Sequence, residues 1–235
     1  MRERLDSVLE AIYAVFSEGW ADAAGTELRR RNLAEEGIWL GRLVVSLLPE
    51  EPEALGLLAL MLHADARRAA RRDEAGEYVP LAEQDIGRWN AAMIDEAEAL
   101  LFRAGRIGTT GRYQLEAAVQ SAHAVRRRTG RADWPAIERL YDSLAMLIAS
   151  PVVDINRAIA VAETKGAEAG LAILDDLVLD AELNAYQSYW AARAELLRRA
   201  GRLGEADHAY DMAIGLEADP AVRRFLQRRK KSMAA

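Results

Sequence analysis

The chain has no cysteine in its 235 residues, which excludes disulfides and every thiolate-based metal or redox site. Histidine is scarce as well. His63, His123 and His208 stand at no HExxH or comparable spacing, so neither a metal nor a cofactor is expected. GxGxxG, P-loop and GxSxG signatures are missing, which removes the common nucleotide-binding and hydrolase motifs. The apolar run LGLLALML at 55–62 falls far short of the roughly 20 residues that cross a bilayer. The N-terminus lacks the charged-then-apolar layout of a signal peptide, and a cytoplasmic location is the expectation. An excess of positive charge is also lacking: the net charge of −6 argues against generic polyanion binding.

What is present reads as helix almost throughout. Apolar residues recur at three- and four-residue spacing, Ala, Leu, Glu and Arg dominate, and β-branched runs are few. Leu5, Val8, Leu9, Ile12, Val15 and Phe16 form one stripe. A second helix is predicted over about 26–48 and a third from EEPEA, with Pro52 in its first turn, into the arginine-rich HADARRAARRD. Gly76 and Pro80 interrupt the pattern, so 74–85 is predicted as the longest irregular connection.

Helical patterns in the second half stop at Gly105, Gly130, Gly166 and Gly201, each just after a basic residue. That is the chemistry of a helix C-terminus: a left-handed glycine and a cation at the negative dipole end. Gly130, Gly166 and Gly201 stand 36 and 35 residues apart, close to the tetratricopeptide period of about 34. In the last unit Trp190 takes the repeat's tryptophan position, Ala194 its small residue and Leu197 its tyrosine. Ala206 and Tyr210 reproduce the A-x3-F spacing, and Pro220 closes the unit. Arg193 stands where leucine is usual. Residues 111–149 are predicted as a further hairpin turned at Gly130–Asp133, and DPAVRRFLQRRKK as a capping helix. The expectation is an all-α protein, with an irregular helical layer over 1–104 and a tetratricopeptide-like stack of helix hairpins over 105–235.

Two polar stretches carry candidate chemistry. On a continuous helix His63, Arg67 and Arg71 share one face, with Arg68 and Arg72 beside it. These cations read as a helix end paired with Asp73, Glu74, Glu77 or Glu83, as a polar ligand seam, or as a nucleic-acid grip. In EQDIGRWN, Asp85 is a cap for the next helix, Gln84 and Arg88 are polar candidates, and Trp89 reads as core. Tyr113 and Gln114 open a predicted helix whose exposed amides offer a possible anion site. A sensor would bring these residues, with Glu18 and His123, to one pocket. Acid–base catalysis by Glu18 and His63 has no spacing to support it, and the chain is read as a non-enzyme.

YAVFSEGW (13–20), LHADARRAARRDEAGEYVPLAEQDIGRWN (62–90) and GRYQLEAAVQSAHA (111–124) together resemble the tetratricopeptide-like C-terminal extension of a group of extracytoplasmic-function RNA polymerase sigma factors. The resemblance continues through 133–163 and the last repeat. Arg112, Ile86–Gly87 and Asn90 depart from the pattern, where a proline, a more polar pair and an aspartate would stand. Members carry an N-terminal region that binds core polymerase and reads the promoter, and this chain begins where the extension would begin. The resemblance implies a regulatory, protein-interaction role in transcription initiation. It implies as partners the sigma reader domains and either RNA polymerase or a regulatory protein. No promoter binding by this chain alone is expected.

Overall fold

The computed structural model describes residues 2–21, 28–177 and 181–233. Every regular element among them is helical. The chain divides into two compact units, Met1–Ala75 with Val79–Asp133, and Gly76–Tyr78 with Trp134–Ala235.

The first unit is built around α3 (Pro52–Asp65). All residues from Ala54 to His63 are buried, as expected for a helix that is apolar on every side and therefore must be surrounded. Around it pack α1 (Arg2–Ala21), α2 (Leu28–Leu47), α4 (Ala91–Ile107) and α5 (Arg112–Ala124). Leu9, Ile12 and Phe16 of the predicted stripe join its core. Gly56 explains how closely α5 approaches, because a Cβ there would lie 2.6 Å from the Gln114 amide nitrogen. The short α6 (Arg126–Thr129) ends at Gly130, in the left-handed region as its sequence predicts.

The second unit consists of α7 (Trp134–Leu147), α8 (Pro151–Lys165), α9 (Ala167–Asp176), α10 (Gln187–Arg199), α11 (Leu203–Leu216) and α12 (Pro220–Lys231). Helices α8 and α9 turn at Gly166 and form one packed pair, and α10 and α11 turn at Gly201 and form the next. α9 also packs on α10. Ala194, Leu197, Ala206 and Tyr210 are all within 1% of complete burial between these helices. The Tyr210 hydroxyl donates to Glu195 Oε2 at 3.1 Å. Asp219 caps α12 by accepting from the Ala221 amide. Gly76–Tyr78 belongs to this unit through α12: Glu77 accepts from Arg224 and Arg228, both at 2.7 Å, and Tyr78 meets Phe225 edge-on.

Three expectations are corrected. The division falls after Asp133, not after residue 104, because α5 packs on α3 and α4. α7, expected in a hairpin over 111–149, belongs to the second unit and pairs there with α8. Gly105 is helical and exposed, and α4 continues to Ile107 with Gly108 as its left-handed cap. Both glycines follow basic side chains within two positions, so the local signal could not rank them.

Candidate functional site

The arginine-rich stretch is not one helix. α3 ends at Asp65, a single 3-10 turn covers Arg68–Ala70, and the chain runs irregularly to α4. The predicted four-residue alignment of His63, Arg67 and Arg71 on one helical face is thereby lost. The Asn90 amide donates to Ala66 O at 2.8 Å, which brings the end of the excursion back to its start. Short 3-10 turns cover Leu81–Glu83 and Ile86–Arg88. Asp85 caps the second of these through the Gly87 amide, while Asn90, accepting from Met93 N at 3.2 Å, caps α4. The cap of α4 expected at Asp85 is thus five residues further on.

The arginines here fasten backbone. Arg71 donates to Trp20 O at 2.9 Å and lies over the Trp20 ring at 3.7 Å, a cation–π arrangement. Arg88 donates to Arg72 O at 2.8 Å, and Arg126 to Leu81 O at 2.6 Å. Arg68 pairs with Asp65 at 2.6 Å. Gln84 is buried and donates to Val79 O at 3.3 Å. Trp89 packs into a core of Ala66, Ala70, Ile94 and Ala124. Main-chain carbonyls of an irregular segment need donors once they leave water, and guanidinium groups supply several each.

The charge of Arg67 acts on both His63 and His123. Burial pushes the His63 pKa down to about 3, helped by the charges of Arg67 and Arg127. Burial, then Arg67 and Arg126, push His123 down to about 4. Both rings are neutral at pH 7. Arg67, common to both, donates to Gln120 Oε1 at 2.5 Å. His63 Nε2 lies 3.4 Å from Glu98 Oε1, which accepts from the Ser121 hydroxyl at 2.6 Å. Glu18 lies on the exposed side of α1 near its C-terminal end. A concavity of about 200 Å³ between α4 and the α5–α6 segment is walled by Asp95, Glu98, Ser121, Arg127 and Arg128 among others, and includes none of the predicted candidates.

The possible anion site at Tyr113 and Gln114 is already filled by the protein itself. Glu53, in the first turn of α3, accepts from the Tyr113 and Gln114 amides at 3.0 and 3.2 Å and from Gln114 Nε2 at 3.2 Å. The protein supplies its own carboxylate to the N-terminus of α5, where the capping residue is the side-chain-less Gly111. Sequence spacing held no sign of this, because the partners are 60 residues apart.

A larger concavity, about 380 Å³, lies in the second unit between the start of α10 and α11. Tyr189, Trp190, Arg193, Glu205 and His208 line it. Trp190 is only partly buried: its Nε1 donates to Asn184 O at 3.1 Å and its ring meets His208 edge-on. Tyr189 goes into the core instead. Arg193, which breaks the repeat pattern, donates to Asp175 Oδ1 at 2.6 Å on this rim. The repeat spacing does not single out Tyr189, Arg193 and His208 as groove residues, although 189, 193 and 197 share a helical face.

Among the described residues no group of three or more His, Asp or Glu side chains is placed to hold a metal ion. No helix there is long and apolar enough to cross a membrane.

Residues 4–105 match the model of a family described as Family of unknown function (DUF6596). The chain is 40% identical over 233 residues to the Uncharacterized protein R00370 of Rhizobium meliloti (strain 1021), covering 99% of this chain and 55% of that protein. The chain thus spans about half the length of the curated relative it matches. No solved structure matches it.

Proposed function

We propose that this chain is a non-catalytic regulatory and protein-interaction module of transcription initiation, the tetratricopeptide-like extension of an extracytoplasmic-function sigma factor acting in the cytoplasm. The observation that carries the reading is the groove of the last repeat. Its hairpin packs as repeats do, and an aromatic and charged set (Trp190, Arg193, Glu205 and His208) lines its open concavity, with Trp190 partly buried against the core and partly exposed. Repeat stacks use such faces to hold a peptide or a neighbouring domain, and partly exposed Trp and Arg are the residues that anchor interfaces. A relative nearly twice as long as the matched segment supports a module joined to another region. The partners of this reading are the promoter-reading domains, with RNA polymerase or a regulatory protein beyond them. Co-elution of the chain with separately expressed reader domains tests it, as does transcription by the joined factor with and without residues 184–235. Retained binding that Trp190→Ala and His208→Ala weaken at least tenfold is the expected result. No binding together with unchanged transcription after the deletion would end the proposal.

A second reading, a small-molecule or peptide sensor, draws on the charge of Arg67 acting on two buried, neutral histidines, His63 and His123. A ligand that prefers one state of such a polar region can bias a two-state module. It predicts altered ligand response, not altered folding, in Arg67→Gln.

A further inference from the structure

We infer that the outer faces of α2 and α4 form a self-association surface, and that its occupant is a second copy of this chain. Trp39, Leu43 and Leu47 recur every fourth residue along α2 and are 56%, 41% and 70% exposed. The opposite side of the helix, Ala34, Gly37, Ile38 and Gly41, is the side that packs inward. The stripe therefore points directly away from the core, where a free-standing amphipathic helix would carry charge. It extends past the helix end through Leu48, at 40% exposed. Arg103 of α4 donates to Pro49 O at 3.1 Å, which brings α4 to this end of the stripe, and Phe102, next to Arg103 in α4, is 69% exposed. The bidentate pair of Arg42 with Glu96, at 3.1 and 2.8 Å, joins the two helices along the same edge. An apolar strip with a tryptophan at one end and ion-paired flanks has the composition of an interface centre and rim.

Area and geometry both favour a second copy. The five side chains expose roughly 500 Å² of apolar surface together. A homodimer interface that buries about 800 Å² per partner, two-thirds of it apolar, needs about that much from each side. Residues four apart form the ridge that packs into the matching groove of an identical helix at about −50°. A two-fold axis through the stripe presents the same ridge to itself, so the contact closes at two copies rather than continuing into a filament.

The test is sedimentation equilibrium of the 235-residue chain from 1 to 100 µM. The expected result is a concentration-dependent dimer. Trp39→Glu and Leu47→Glu, both at exposed positions, should each weaken it at least tenfold with unchanged helical circular dichroism and melting. Met146→Glu, still more exposed but in the second unit, should leave it intact. A monomer at 100 µM overturns the inference, and so does a dimer insensitive to Trp39→Glu and Leu47→Glu. A monomer whose α2 stripe is covered by separately added reader domains also overturns it and identifies the other occupant. The dimer outcomes do not depend on the α10–α11 groove and leave the proposed function to its own test, whereas reader domains bound at α2 would keep its partner and move the contact away from that groove.

Discussion

Removing the Glu53 carboxylate should loosen the junction of α3 with α5 more than its surface-like residue type suggests. In Glu53→Ala the Tyr113 and Gln114 amides lose their acceptor, and Gln114 Nε2 keeps only Thr109 O, at 2.8 Å. Gly111 offers no side chain to cap α5 in its place. A lost cap costs about 1 kcal/mol and a lost carboxylate at the positive dipole end about 0.3–1 kcal/mol. Leaving the buried Gln114 side chain partly unsatisfied costs about 1 kcal/mol more, so the expected loss is about 2–3 kcal/mol. Glu53→Gln keeps two acceptor lone pairs and loses the charge, and should cost about half as much. Urea unfolding followed by circular dichroism measures the total, and hydrogen exchange at the Tyr113 and Gln114 amides localises it. A loss below about 0.5 kcal/mol, with those two amides still protected, would refute the reasoning.

Gly105→Ala, helical and in open space, should stabilise the protein by about 0.5–1 kcal/mol. Gly108→Ala, forced to φ 87°, should destabilise it by a similar or larger amount; thermal melts of the pair check the placement of the α4 cap. His63 and His123 are depressed to about 3 and about 4 in the fold and protonate near pH 6.5 when unfolded. Their contribution is therefore whole above pH 6.5 and is lost as the pH falls toward those folded values. At most about 2 kcal/mol per histidine disappears between pH 6.5 and 5. Urea midpoints across that range should fall, and fall less steeply in His63→Gln. Tyr210→Phe removes the bond to the Glu195 carboxylate and should cost about 1–2 kcal/mol by the same unfolding assay. An unchanged midpoint would mean that Glu195 relies on Arg198 alone.

Period and composition alone determined that this protein is helical, because helix faces and turn glycines are local properties of the chain. The positive φ at Gly130, Gly166 and Gly201 and the burial of Ala194, Ala206 and Tyr210 were legible for that reason. The end of the arginine helix was not. HADARRAARR has unbroken helical propensity, and it stops at Asp65 because a chain returning from residue 90 takes the Ala66 carbonyl. The unit boundary at Asp133, the filling of the α5 N-terminus by Glu53, and the partial exposure of Trp190 beside a buried Tyr189 also depend on partners distant in sequence. Local spacing assigns a residue to a face of its own helix; which helix, carboxylate or solvent meets that face is decided only when the pieces pack.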